Sequence, residues 1–226
     1  MAHWIYSLDL FGTAVFAISG AMAAGRKSMD LFGVVVLAMV TALGGGTLRD
    51  VIISPQEVFW ILDSVYIFVA LSAGVLTFAT ARIVRLPREV LIITDALGLA
   101  TFTVIGAQRA IESGAGATAA VIMGVMTGVV GGMMRDLLVG QIPLVLRKEI
   151  YATASLVGAV TFVLMNRFLT ISAAGMIVPI IIVIAIRLAT IRWNLSLPVF
   201  RMDARQEENP STPTRTPHRV DSSGEE

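Results

Sequence analysis

Two short segments place an arginine beside an aspartate just after a glycine cluster. They are GGGTLRD at Gly44–Asp50 and VGGMMRD at Val130–Asp136. Gly45, Gly46, Arg49 and Asp50 recur 86 positions later as Gly131, Gly132, Arg135 and Asp136. Each segment ends an apolar run long enough to span a bilayer. There a charged dipeptide is costly and glycines weaken the helix that carries it. The chemistry open to these groups is electrostatic. Carboxylates concentrate cations, guanidinium groups hold carboxylates, and hydroxyl or carbonyl oxygens replace part of an ion's hydration shell. Thr47 and Thr127 bring hydroxyls to the two clusters, and Asp9 and Asp95 bring carboxylates near the start of two other apolar runs.

Each group has a bland reading beside the functional one. Gly44, Gly45, Gly46, Gly131 and Gly132 read as kinks beside an aqueous path, or as points where helices pack closely; Gly124, Gly128 and Gly132 also form a small-xxx-small ridge. If the glycines are hinges, alanine at Gly131 and Gly132 changes flux and leaves assembly intact; if they are packing residues, folding fails. Adjacent helical residues do not face each other. Arg49 is therefore expected to reach Asp136, and Arg135 to reach Asp50, across the molecule. The alternatives are interfacial anchoring and direct pore lining. Asp9 and Asp95 read as helix caps or as carboxylates at pore mouths. Threonine hydroxyls along apolar spans usually bond back to the carbonyl one turn earlier.

Positioning these groups requires membrane-spanning helices. The chain has 226 residues, 56% hydrophobic and 15% charged, with a net charge of +1 and mean hydropathy +0.81. Soluble domains are nearer one-quarter charged. The absence of cysteine excludes disulfides, thiol catalysis and thiolate metal sites, and the position of His3 and His218 at the two extremes of the chain argues against a histidine-based metal or acid–base site. No field favours nucleic acid. Spans of ~20 apolar residues fall at roughly 5–24, 31–53, 62–82, 90–109, 117–140, 149–166 and 170–191. The first reads as a retained span and not a signal peptide. From Arg201 the chain turns polar, rich in Pro and Ser, and reads as disordered.

Loop charge orients the spans. With the N-terminus outside, cytoplasmic loops carry Arg26, Lys27, Arg82, Arg85, Arg88, Arg147 and Lys148, and external loops only Arg109 and Arg167. Arg187, Arg192, Arg201, Arg205, Arg215 and Arg219 then fall on the cytoplasmic side. The 86-residue offset also relates Asp9, Gly12, Gly20 and Ala24 to Asp95, Gly98, Gly106 and Ala110. The repeating unit is three spans long. An odd number makes the second copy enter the membrane from the opposite side, an inverted repeat. The expected organisation is an all-α polytopic membrane protein: repeats at 1–86 and 87–168, a seventh helix at 169–200, and a cytoplasmic tail at 201–226. The second and fifth spans would be kinked or half-broken at their glycines, and Pro179 would kink the last.

Seven spans, a 3+3 inverted repeat and duplicated GGxxxRD resemble a bacterial trimeric intracellular cation (TRIC) channel over about residues 5–192. The same family has also been labelled a glycine transporter. The resemblance implies a homotrimer in lipid, one pore per protomer, permeation by K⁺ and also Na⁺, no cofactor, and pore-lining helices kinked at Gly44–Gly46 and Gly131–Gly132. Animal members carry a gating lysine by the fifth-helix glycines. Here the neighbours are Val129, Val130, Met133 and Met134. The expected function is a monovalent cation channel of an inner membrane. The alternative is a secondary transporter for a small amino acid such as glycine, bound at half-helix N-termini. No ATP-binding motif is present. An embedded enzyme would have to work with aspartates alone.

Overall fold

The computed structural model describes residues 2–54, 57–84, 86–147, 150–168 and 173–193. The tail at 201–226, Arg85 and Lys148 lie outside the described residues. Among the described residues, the regular elements are all helical. They are α1 (Ala2–Arg26), α2 (Leu31–Ile53), α3 (Phe59–Leu62), α4 (Val65–Ile83), α5 (Arg88–Glu112), α6 (Ala117–Leu138), α7 (Leu144–Arg147), α8 (Ile150–Phe168) and α9 (Ile177–Trp193). Six of them (α1, α2, α4, α5, α6 and α8) are long and apolar enough to cross a membrane. The seventh, α9, has 17 residues and is preceded by a 3₁₀ turn at Ala173–Met176. Pro179 falls in its first turn, where a missing N–H costs no helical bond.

Local sequence sets the helix ends. Asp30 caps α2, its Oδ1 accepting the Gly33 N–H at 2.8 Å. α5 and α6 each stop at a glycine in the left-handed region, Gly114 (φ 85°) and Gly140 (φ 68°). Beyond each, a backbone N–H closes back on the helix: Ala115 on the Ala110 carbonyl and Gln141 on the Asp136 carbonyl, both at 2.9 Å.

Helices α1, α2 and α4 pack together, as do α5, α6 and α8; α9 lies against α5 and α8. The two groups meet through α1 on α5 and α2 on α6. The interior is made of small residues and a few rings. Phe16 and Phe102 stack with centroids 5.3 Å apart. Gly98 makes room for Phe16, and Gly12 for Phe102. On the outside, Phe32, Phe68, Leu76, Ile122, Leu164 and Phe168 are exposed, the apolar surface a span presents to lipid.

Candidate functional site: two charged cavities flanking a glycine crossing

Helices α2 and α6 run through their glycines without a break, which corrects the expectation of half-broken helices with freed carbonyls. What the glycines permit is contact between backbones. A Cβ on Gly45 would run into the carbonyl oxygen of Thr127, and one on Gly131 into that of Thr41. Position 41 plus the repeat offset is 127, and 45 plus the offset is 131, so each contact is the counterpart of the other. The same pairing recurs one layer out. Gly20 abuts the Leu37 carbonyl and the Thr41 hydroxyl, and Gly106 abuts the Met123 carbonyl and the Thr127 hydroxyl. Gly124 and Gly128 face the Thr103 and Leu99 carbonyls of α5, the packing role of their ridge. Of the remaining cluster glycines, Gly44 faces Met134, Gly46 the Phe59 ring, and Gly132 the Tyr151 hydroxyl and Asp95.

The two Arg-Asp pairs diverge from this crossing. Arg49 Nε donates to its neighbour Asp50 Oδ1 at 2.6 Å. Arg135 Nε donates to Asp136 Oδ1 at 2.9 Å. The expected cross-pairs, Arg49 with Asp136 and Arg135 with Asp50, do not form. The reason is the antiparallel crossing. With Gly45 against Thr127, each step toward Arg49 leads away from Asp136. At about 1.5 Å per residue, the two groups end on the order of 20 Å apart along the helix axes. The long arginine arm instead folds back on its own neighbour. Each aspartate uses its second oxygen to hold the short helix that follows: Asp50 Oδ2 accepts the Phe59 N–H at 3.0 Å, and Asp136 Oδ2 accepts the Leu144 N–H at 2.9 Å.

Asp9 and Asp95 are neither caps nor mouth residues. They lie two turns inside α1 and α5, with 1% and 0% exposure. Asp9 Oδ2 accepts from the Tyr66 hydroxyl at 3.2 Å. Asp95 Oδ1 accepts from Arg135 Nη1 at 2.7 Å and from the Tyr151 hydroxyl at 3.4 Å. Arg135 Nη1 also donates to Ser19 Oγ at 2.6 Å. Arg187 of α9, counted from its sequence as a cytoplasmic-side charge, is 2% exposed. Its guanidinium lies 4.5 Å from the Tyr151 ring centroid and 3.9 Å from Asp95 Oδ2. Tyr66 and Tyr151 escaped the sequence reading, which took Ser19 only as one of several hydroxyls along the spans and Arg187 only as a flanking charge. For Arg187 a signal was present: of the two cations in the run IVPIIIVIAIRLATIRW, Arg192 sits at its end and Arg187 well inside it.

The hydroxyls behave mostly as expected. Thr13, Thr41, Thr47 and Thr127 donate to the carbonyls of Asp9, Leu37, Leu43 and Met123. Thr47 has a second duty: its oxygen accepts the indole N–H of Trp60 at 2.9 Å. Replacing Thr47 with valine strands that donor and is expected to cost about 1–3 kcal/mol. Trp60→Phe in the same background removes the stranded donor, so the two changes should be less than additive. A thermal melt of the purified variants in detergent measures both effects.

Two cavities open at opposite ends of the bundle. One, of about 410 Å³, is lined by Tyr6, Arg49, Asp50, Asp63, Tyr66 and Arg109 among others. The other, of about 660 Å³, is lined by Arg26, Arg135, Asp136, Gln141, Arg187 and Thr190 among others. Tyr6 and Arg26 mark the two ends of α1, about 30 Å apart at its helical rise, which matches a bilayer core. Of the residues singled out by sequence, Arg49, Asp50, Arg135 and Asp136 form part of these walls. The glycines, Thr47, Thr127, Asp9 and Asp95 do not. Between the cavities lie the Gly45–Thr127 and Gly131–Thr41 crossing and the Phe16–Phe102 stack.

The arrangement can be set beside known proteins. A family model described as a glycine transporter matches residues 6–82 and 92–167. The UPF0126 inner membrane protein YadS of Escherichia coli strain K12 is 46% identical over 88% of this chain and 97% of its own length. The UPF0126 membrane protein YvgT of Bacillus subtilis strain 168 is 34% identical over 87% and 97%. Among solved structures, the TRIC channel orthologue from Rhodobacter sphaeroides superposes with a TM-score of 0.81 at 40% identity, covering 84% of this chain and 98% of that one. A prokaryotic TRIC channel in 0.5 M KCl superposes at 0.80 with 28% identity, covering 87% and 100%. With the fold, both halves of the family model and the length of its relatives in agreement, the chain belongs to the TRIC channel family of multi-pass membrane proteins.

Proposed function

We propose that this protein is a monovalent cation channel, passing K⁺ and also Na⁺, with one pore per protomer of a homotrimer. The observation that carries this reading is the pair of charged cavities in one protomer, one lined by Arg49 and Asp50 and the other by Arg135 and Asp136, at the opposite ends of the α2–α6 crossing. A path inside a single protomer needs carboxylates that are not all spent on arginines, and Asp9 supplies one. The crossing and the Phe16–Phe102 stack form the closed centre, and ions pass when α2 and α6 part there. The relatives support the reading: solved neighbours are described as TRIC cation channels, one of them in work on conductance, and one as a trimeric intracellular cation channel orthologue. An inner-membrane location follows the Escherichia coli relative.

The paired contacts at the 86-residue offset support an inverted repeat of 1–86 and 87–168, followed by a seventh helix at 169–200 and a cytoplasmic tail at 201–226. Loop charge supports an outside N-terminus. Catalysis plays no part in this reading.

The description of the matching family model favours a second reading, a carrier for glycine or a similarly small amino acid. Turnover separates the two. In a planar bilayer under a KCl gradient, the channel gives unitary currents reversing near the K⁺ potential. A silent bilayer, with saturable glycine uptake into proteoliposomes, overturns the channel reading.

A further inference from the structure

The two halves of the bundle differ in how the cation beyond the repeated Arg-Asp pair is placed: Arg109 of the first cavity is 46% exposed and paired with Glu112, whereas Arg187 of the second is buried. Around Asp9 stand Tyr66, Arg49 and Asp50; around Asp95 stand Tyr151, Arg135 and Asp136. Among the described residues of the first half, Arg49 is the one buried arginine beside the two aspartates. In the second, α9 adds Arg187, so two arginines face two aspartates. No helix follows the first unit in the way α9 follows the second, because α4 leads directly into α5. Arg187, like Arg49 with its Nη1, is buried with a nitrogen left unsatisfied. Neither its Nε nor Asp95 Oδ2 has a hydrogen-bond partner among the described residues. A buried pair that is retained for stability normally satisfies such atoms. At 3.9 Å from Asp95, and in the wall of the 660 Å³ cavity, the guanidinium holds the place where the carboxylate would attract a small cation from water.

Resting on the cation-channel reading, we propose that Arg187 is a tethered counter-ion. It neutralises Asp95 in the half where a permeating cation would otherwise do so, and it makes passage past Asp95 the step that limits cation conductance and selectivity. In the other half the corresponding cation, Arg109, is half-exposed and paired with Glu112 and so is no buried tether for Asp9, which leaves the two ends of the pore electrically unequal although their backbones correspond.

The test is single-channel recording of the full-length wild type and Arg187→Gln in a planar bilayer under a KCl gradient. Removing one unit charge about 4 Å from a cation, even at the dielectric constant of bulk water, is expected to raise K⁺ conductance about fivefold and move the reversal potential closer to the K⁺ value. Because the chain has no cysteine, Arg187→Cys reports the charge directly. A cationic aminoethyl methanethiosulfonate should restore wild-type currents, and the anionic sulfonatoethyl reagent should not. If Arg187→Gln does not assemble, the pair Asp95→Asn with Arg187→Gln restores neutrality and should conduct like wild type; altered selectivity in that pair overturns the proposal. A conducting wild type with an unchanged Arg187→Gln, or equal effects of the two reagents, reduces Arg187 to a packing residue. A silent wild type removes the channel reading and this proposal with it.

Discussion

Alanine at Gly45 or Gly131 is expected to unfold the crossing between α2 and α6, not merely to stiffen it. At both positions the added Cβ meets a backbone carbonyl oxygen, Thr127 for Gly45 and Thr41 for Gly131. A flexible side chain can swing away from such a clash. A carbonyl held inside a helix moves only if the whole helix moves. Overpacking of this kind costs about 3 kcal/mol per site, toward the upper end of what inserted methyl groups do. The measurement is thermal unfolding and size-exclusion profile in detergent, with Gly25→Ala as control. Gly25 has nothing within 4 Å of a built Cβ, so alanine there should leave stability unchanged or raise it by up to about 1 kcal/mol. A Gly131→Ala protein that melts with the wild type but passes altered currents would restore the hinge reading that the sequence alone suggests.

The second large effect is expected at Arg135. Its side chain holds Asp95 at 2.7 Å, Asp136 at 2.8 Å and Ser19 at 2.6 Å, with 1% side-chain exposure. Arg135→Gln leaves Asp136 without a cation and Asp95 with Arg187 alone. Breaking a buried network by removing one partner costs about 3–5 kcal/mol. Arg49→Gln should cost less, about 1–3 kcal/mol. Arg49 hydrogen-bonds one carboxylate, and Asp50 keeps its bond from the Phe59 N–H and is 12% exposed at the side chain. Thermal unfolding in lipid nanodiscs compares the two. Equal losses would show that the extra contacts of Arg135 contribute nothing. Asp95→Asn added to Arg135→Gln should recover part of the loss, because it removes one of the stranded charges.

The asymmetry between these arginines shows where sequence reading stops. The Arg-Asp dipeptides stand out in sequence because charge is rare in apolar runs. Their partners did not, because helical spacing says only that neighbours point apart, and a long guanidinium arm is free to fold back. Asp9 and Asp95 stood out as charges near the start of apolar runs and were read as caps or pore-mouth carboxylates; neither their burial nor their tyrosine partners, which come from α4 and α8, was legible. Arg187 is the clearest case. Its place late in the chain assigned it to a cytoplasmic flank, while the packing of α9 on α5 and α8 carries it beside Asp95.

What the chain determined by itself is therefore one-dimensional: how many spans there are, where most begin and end, and the 86-residue rhythm that relates one half to the other. Hydropathy and glycine placement suffice for this, because a bilayer admits only segments whose backbone groups are paired within the helix. What only the tertiary structure decided is which groups face each other. The glycines became points of backbone contact because α2 and α6 cross antiparallel. The arginines kept to their own ends because that crossing sends them apart. The last helix brought in a cation that the repeat does not contain. Such contacts depend on crossing direction and side-chain reach, and neither leaves a periodic mark in the order of residues.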